Sequence, residues 1–139
     1  MCWISAEAIQ KVAEKDFYVY KIGRVVWNGI FVSCIKNFDY IPKFCNRTIF
    51  LTVQIPCRGT CVIQEGYHSY KWIAIDNTNP HERCLYLGNY NFALKENISL
   101  YKHCCIATFI IPKGAKYYEN EFGGIVSSEI VYTGKYVKL

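Results

Sequence analysis

"HCCIATFIIP", residues 103–112, is a continuous apolar run that ends at a proline. A run of this length, with β-branched and aromatic members, is the pattern of a strand covered on both faces. The C-terminal segment beyond it is punctuated by glycine. "PKG" turns the chain, "AKYYENEFGG" reads as a turn-rich excursion, and "IVSSEIVYTGKYVKL" reads as two last strands around Thr133-Gly134.

Upstream the signals are similar. "DFYVYKIGRVVW" packs β-branched and aromatic residues too densely for an amphipathic helix, so a strand is expected over Phe17 to Ile22, with Gly23 a bulge or bend. In "NRTIFLTVQIP", Ile49, Leu51, Val53 and Ile55 alternate with Thr48, Phe50, Thr52 and Gln54, the mark of a half-buried strand. "PCRG" supplies a turn and "TCVIQ" a return strand, whereas "DNTNPHERC" is loop and "LYLGNYNFALKEN" weakly helical or irregular. One helix is expected at the N-terminus, from Ala6 to about Glu14. Ser5 would cap it, and Ile9, Val12 and Ala13 would share its buried face. The expectation is a single compact α+β domain over 1–139, β-dominated, with twisted, mostly antiparallel sheets and that one helix.

The composition is that of a folded chain, 52% apolar with twelve tyrosines, and tyrosine suits strands that line a groove or an interface. A net charge of +5 favours anionic partners, but the basic residues are scattered, so nucleic acid is not indicated. No apolar stretch reaches the length of a membrane span. The N-terminus shows neither a charged leader nor an apolar core of an export signal, so a reducing cytoplasm is the expected compartment. The eight cysteines are then expected as free thiols, and the sequons at Asn46 and Asn97 carry no meaning.

Some constellations invite chemistry. Cys57 and Cys61 of "CRGTC" with His103, Cys104 and Cys105 of "HCC" offer zinc-type ligands. The first pair is spaced one residue too widely for the usual knuckle, and adjacent Cys104 and Cys105 face opposite ways on a strand, so no metal site is assigned. Cys2, exposed by loss of Met1, would be an N-terminal nucleophile, but bulky Trp3 and a helix come after it. "EGYHSY" (65–70) sets His68 and Ser69 beside Gly66, where a ligand can approach closely. Neighbours on a strand face apart, so the two are not a catalytic pair, and a surface turn in which Tyr67 and Tyr70 pack explains them equally well.

The order "VYKIG", "GYHSY" and "IPKGAKYYENEFGGIVSSEIV" resembles small uncharacterised proteins of gut bacteria (Bacteroides-like) and their phages, which begin with Met-Cys and end on an Ile-Pro-Lys-Gly strand. More remotely, the spacing is similar to the ADP-ribosyltransferase fold. That resemblance implies a cation at Lys21 or Arg24, ribose contacts from Tyr67, His68 and Ser69, and Glu129 as the catalytic carboxylate facing an oxocarbenium ion. The family's Ser-Thr-Ser is absent here. Ser127 stands two before Glu129, where many transferases place an acidic or amide residue.

The expected function is therefore binding. A cytosolic module would hold an anionic small molecule, a nucleotide first, through Lys21, Arg24, Tyr67, His68, Ser69, Lys113, Lys116, Tyr117 and Tyr118, with no cofactor. The phage resemblance implies a protein that sequesters or blocks a host nucleotide signal, an anti-defence role in the host cytoplasm. Two alternatives stay open. One is a diverged enzyme acting on NAD through Glu129. The other is a protein–protein inhibitor that presents its tyrosines to a host protein, and a homodimer is compatible with any of these.

Overall fold

The computed structural model describes residues 3–5, 9–34, 38–49, 61–63, 65–76, 78, 84–88, 95–97 and 103–138. Among these residues there are fifteen strands and no helix. β1 (Trp3–Ser5) pairs with β7 (Cys61–Ile63), and β9 (Ile73–Asp76), β10 (Cys84–Leu87) and β11 (Lys95–Asn97) form a three-stranded sheet. The rest make one antiparallel sheet. Its path starts with β2 (Lys11–Val12), β13 (Lys116–Glu119), β14 (Gly124–Ser127) and β8 (Tyr67–Tyr70). It continues through β3 (Phe17–Val25), β12 (Cys105–Ile111), β15 (Glu129–Lys138) and β6 (Cys45–Arg47). β4 (Phe31–Ser33) pairs with β3, and β5 (Asp39–Tyr40) with β4.

Chain continuity closes this sheet. β14 and β15 are joined through Ser128 alone, yet within the sheet three strands, β8, β3 and β12, lie between them. The two can meet end to end only if the sheet rolls into a barrel. Ser128 is held from both flanks of the seam. Its N–H donates to Lys116 O (2.9 Å), its carbonyl accepts from Thr48 N (2.8 Å), and its Oγ accepts from Lys116 N (3.2 Å).

Strand alternation fills the barrel. Cys105, Ala107, Phe109 and Ile111 of β12 are buried and join Val19, Phe31, Tyr40, Ile125, Ile130 and Tyr132 in one core. Phe109 packs edge-on against Phe31 (5.3 Å) and Tyr40 (5.0 Å) and tilted against Tyr132 (5.2 Å), the offset arrangements that aromatic quadrupoles favour. On the outer face, Ile22 and Tyr70 pack with Leu85 and Leu87 of the three-stranded sheet. β12 is thus covered on both sides, as its apolar run implies.

The helical part of the α+β expectation is overturned. Residues 6–8 lie outside the described residues, but Lys11 and Val12 pair with Tyr117 and Lys116 as a strand. Ala13 N donates to Ala115 O, and Ala13 O accepts from Gly114 N. A helix this short is marginal in water, and its apolar stripe has nothing to bury against: Ile9 and Val12 are exposed while Ala13 alone is covered. Backbone pairing with β13 wins.

Other local expectations change in detail. Residues 116–127 form a hairpin, not an excursion, because Asn120 organises its turn by accepting from Phe122 N (3.1 Å) and Gly124 N (2.8 Å) on Oδ1. Thr133-Gly134 is no turn between two strands. It is a bulge within β15, where the register shifts opposite Thr108 and Gly134 takes φ 86°. Cys84, expected in a loop, and residues 85–87 and 95–97, expected to be weakly helical or irregular, lie in strands. Thr48 and Ile49 lie beyond the end of β6, and the rest of the alternating run to Ile55 falls outside the described residues, as do "PCRG" and most of the 76–84 loop. Among the described residues no helix is long and apolar enough to cross a membrane.

Gly23 does not bend β3. It pairs with Cys105 on one side and Ser33 on the other, and an added Cβ would overlap Val32 O and the Phe31 ring. Gly23→Ala is therefore expected to destabilise the protein by about 1–3 kcal/mol, the usual range for overpacking a tight core. Urea denaturation checks this, and an unchanged midpoint would refute the packing argument.

Candidate functional site

The structure brings the Gly66 turn and the last strands together, because β8 pairs with β14 residue for residue from Tyr67↔Ser127 to Tyr70↔Gly124. The candidate residues nevertheless divide among several places. Lys21, Tyr67 and Ser69 belong to the barrel interior. His68, between the last two on β8, is half-buried and pairs with Val126. Arg24 is exposed on the outer face of β3 near Cys34. Tyr117 packs on Phe17 with ring centroids 5.1 Å apart, and Tyr118 is buried with its hydroxyl donating to Gln10 Oε1 (3.2 Å). Lys113 is exposed at the β12–β13 turn, where its N–H donates to Asp16 Oδ1 (2.7 Å). Lys116 and Glu129 share a surface hollow.

The interior group comes first. Lys21 is only 8% exposed, because strand alternation places it with Val19 on the inward face of β3. Its ammonium donates to the carbonyl of His68 and lies 5.2 Å from the centre of the Tyr40 ring and 5.9 Å from that of Phe109. These contacts offset part of the cost of burying a charge. Burial still pulls its pKa from 10.5 down to about 7. It pushes the Tyr40 hydroxyl up, with help from Tyr67, and Tyr67 in turn packs on Phe38 (5.9 Å) and Tyr40 (6.2 Å). Ser69 is 2% exposed, and its Oγ is buried without a hydrogen-bond partner. Rings fill the space that these side chains face. This is a polar group locked into a core.

The open hollow lies at the seam of the barrel. It has a volume of about 450 Å³ and is lined by Gln10, Arg47, Thr48, Ile49, Gly114, Lys116, Ser128 and Glu129. That is within the usual size range of small-molecule sites, about 300–1,000 Å³. The register Glu129↔Arg47 sets the two side chains together, and Arg47 Nε donates to Glu129 Oε1 at 2.7 Å. Arg47 keeps most of its side chain in solvent, 74% against 24% for Glu129, so the guanidinium retains free donors. Lys116 adds a second cation from β13. Cys45 stands 3.9 Å from Glu129 Oε1, and burial together with that carboxylate pushes its thiol up, which keeps it protonated.

Arg47 and Gln10 are members of the hollow that local sequence signals do not reveal. The partner that gives Arg47 its place is 82 residues away, and Gln10 falls in the stretch whose spacing suggests a helix. The same holds for the pair Cys34 and Cys104, whose Sγ atoms are 3.7 Å apart. Burial, then the Cys104 contact, pushes the Cys34 thiol up to about 11. No cluster of three or more His, Cys, Asp or Glu side chains suited to a metal occurs among the described residues.

Lys21 sets a pH dependence. The unfolded chain keeps this proton up to about 10.5, while the folded chain gives it up near 7. Between those values the unfolded state binds more protons, so stability rises with pH and is lost as pH falls toward 7. Unfolded cysteines ionise near 9.0, below the raised Cys34 and Cys105 thiols, and these act in the opposite sense above that value. From pH 7 to 9 the unfolding free energy is expected to climb with a slope approaching about 1.4 kcal/mol per unit. Lys21→Met should flatten it. Urea titrations at pH 7, 8 and 9 test this, and an equal slope in both proteins would rule it out.

No protein-family model, curated protein or solved structure matches the chain.

Proposed function

We propose that the protein binds an anionic small molecule, a nucleotide first, in the hollow between Arg47, Lys116, Gln10 and Ser128. The observation that carries this reading is that two cations, from the strands that flank Ser128, line one hollow of about 450 Å³. The Arg47 fork, oriented by Glu129, suits two phosphate oxygens, while Lys116 meets a third as a point charge. The Ser128 hydroxyl, which accepts from Lys116 N, keeps its own proton to donate, and Ile49 offers an apolar edge to a base.

Binding is favoured over chemistry by the state of Glu129. A carboxylate already engaged by Arg47 at 2.7 Å is partly neutralised toward a developing cation, which weakens a transferase role. The resemblance to phage proteins gives this binder a biological setting: sequestering a host nucleotide signal in the host cytoplasm. Free thiols at Cys34, Cys45, Cys104 and Cys105 are compatible with a reducing compartment.

A panel of nucleoside mono-, di- and triphosphates, cyclic dinucleotides and NAD tests the reading by melting temperature and calorimetry. At a hundred times its dissociation constant a true ligand adds about 2.7 kcal/mol of stability. Arg47→Ala and Lys116→Ala should each weaken that ligand by about 10- to 100-fold, the loss of one charge-assisted contact. Glu129→Gln, which removes a competing anion, should bind as well or better. Failure of every compound to shift the melt would sink the proposal, and consumption of NAD that Glu129→Gln abolishes would replace it with the enzyme.

A further inference from the structure

Cys34 lies in the turn that follows β4, and Cys104 stands immediately before β12. Both of those strands pair with β3 at Gly23, Ser33 from one edge and Cys105 from the other. The two cysteines are 70 residues apart in the chain, yet their Sγ atoms meet at 3.7 Å, the contact distance of two thiols. A disulfide bond is about 2.05 Å long, so the sulfurs have roughly 1.7 Å left to travel. The turn can yield by that much, because the N–H of Cys34 reaches Ile22 O at a long 3.4 Å. Neither cysteine is itself a member of a strand.

Access selects the same pair. Cys34 is exposed, and Cys104 is half-buried on a second hollow of about 480 Å³, lined also by Trp27, His103, Tyr136 and Lys138. Cys105 touches that hollow too, but it is only 3% exposed and belongs to the barrel core. We propose that Cys34 and Cys104 form a thiol-exchange site, a dithiol that a low-molecular-weight disulfide such as oxidised glutathione converts to an internal disulfide. The Cys34 thiolate attacks one sulfur of the small disulfide, forming a mixed disulfide and releasing one small thiolate, which takes up the Cys34 proton. Cys104 then gives up its proton and attacks Cys34 Sγ, which closes the protein disulfide and releases the second small thiol. The dithiol loses two electrons and two protons, and the small disulfide gains both. Burial and the Cys104 contact push the Cys34 thiol up to about 11, against the pull of Arg24, so the first step sets the rate. The product ties the turn after β4 to the start of β12 and closes a loop that carries β5 to β11. Such a tie stabilises the fold by restricting the unfolded chain.

The site is distinct from the Arg47–Lys116 hollow and can fail or stand without it. The test treats the full-length, fully reduced protein with oxidised glutathione and maps the products by mass spectrometry. The expected product carries a bridge between the Cys34 and Cys104 peptides, with fragmentation separating Cys104 from Cys105. Its melting temperature should rise, and dithiothreitol should restore the original value. Cys34→Ser should form no bridge to Cys104, and Cys104→Ser should stop at the glutathione adduct of Cys34. Cys45→Ser should close like the parent. A glutathione adduct that persists on Cys34 of the parent would overturn the assignment, since Cys104 would then be out of reach. So would a bridge from Cys34 to Cys105, or no reaction of Cys34 at all. If Cys104→Ser fails to fold, the parent and the exposed Cys34 position decide the matter.

Discussion

The architecture depends on one bend. At Ser128 the chain leaves a strand that pairs with β8 and β13 and enters one that pairs with β12 and β6, with a single residue between. A sheet that must meet itself in this way cannot stay open, and its twist is taken up as barrel curvature. The bend is tolerated because both backbone groups of Ser128 and its hydroxyl oxygen have hydrogen-bond partners, from Lys116 on one flank and Thr48 on the other. The candidate site arises from the same constraint. Where two edges of a rolled sheet are joined by a corner and not by a ladder, a gap remains, and Lys116, Arg47 and Glu129 line it.

Closure also explains why the polar residues of "VYKIG" and "YHSY" are not the site. An inward position on β3 is a barrel-interior position, whatever residue occupies it. Lys21 is accommodated there by a carbonyl and two ring faces, and its lowered pKa records what remains uncompensated. Such a group restricts how the core can pack, since other arrangements would strand an ammonium among rings. The cations that can meet a ligand are those whose strands end at the seam.

Much of the strand content was legible in the residues. The apolar run at 103–112, the dense β-formers at 17–22 and the strand within "TCVIQ" all lie where strands are found, although the pairing seen for the last is with β1. The helix expected at 6–14 failed because three apolar residues at helical spacing are equally available to an edge strand, and only β13 decides between them. Thr133-Gly134 misled for a related reason. Gly134 does take a positive φ, but a turn and a bulge require the same residue there, and the register of β12 makes it a bulge. Of the candidate site, Lys116 and Glu129 were visible as a lysine near glycine and a lone late glutamate, whereas Arg47 was not, since nothing local marks it.

The sequence by itself determined that this chain is β-rich, where several of its strands run, and that its surface is mildly cationic. These are properties of neighbours, read from propensity and alternation over a few residues. Only the tertiary structure decided that Lys21 is interior, that Arg47 meets Glu129, and that Cys34 meets Cys104. Each of those depends on which strand lies beside which and in what register, and a one-residue slip turns a side chain from core to solvent. Pairings 70 and 82 residues apart are fixed by the closure of the whole sheet, and no local pattern encodes that closure.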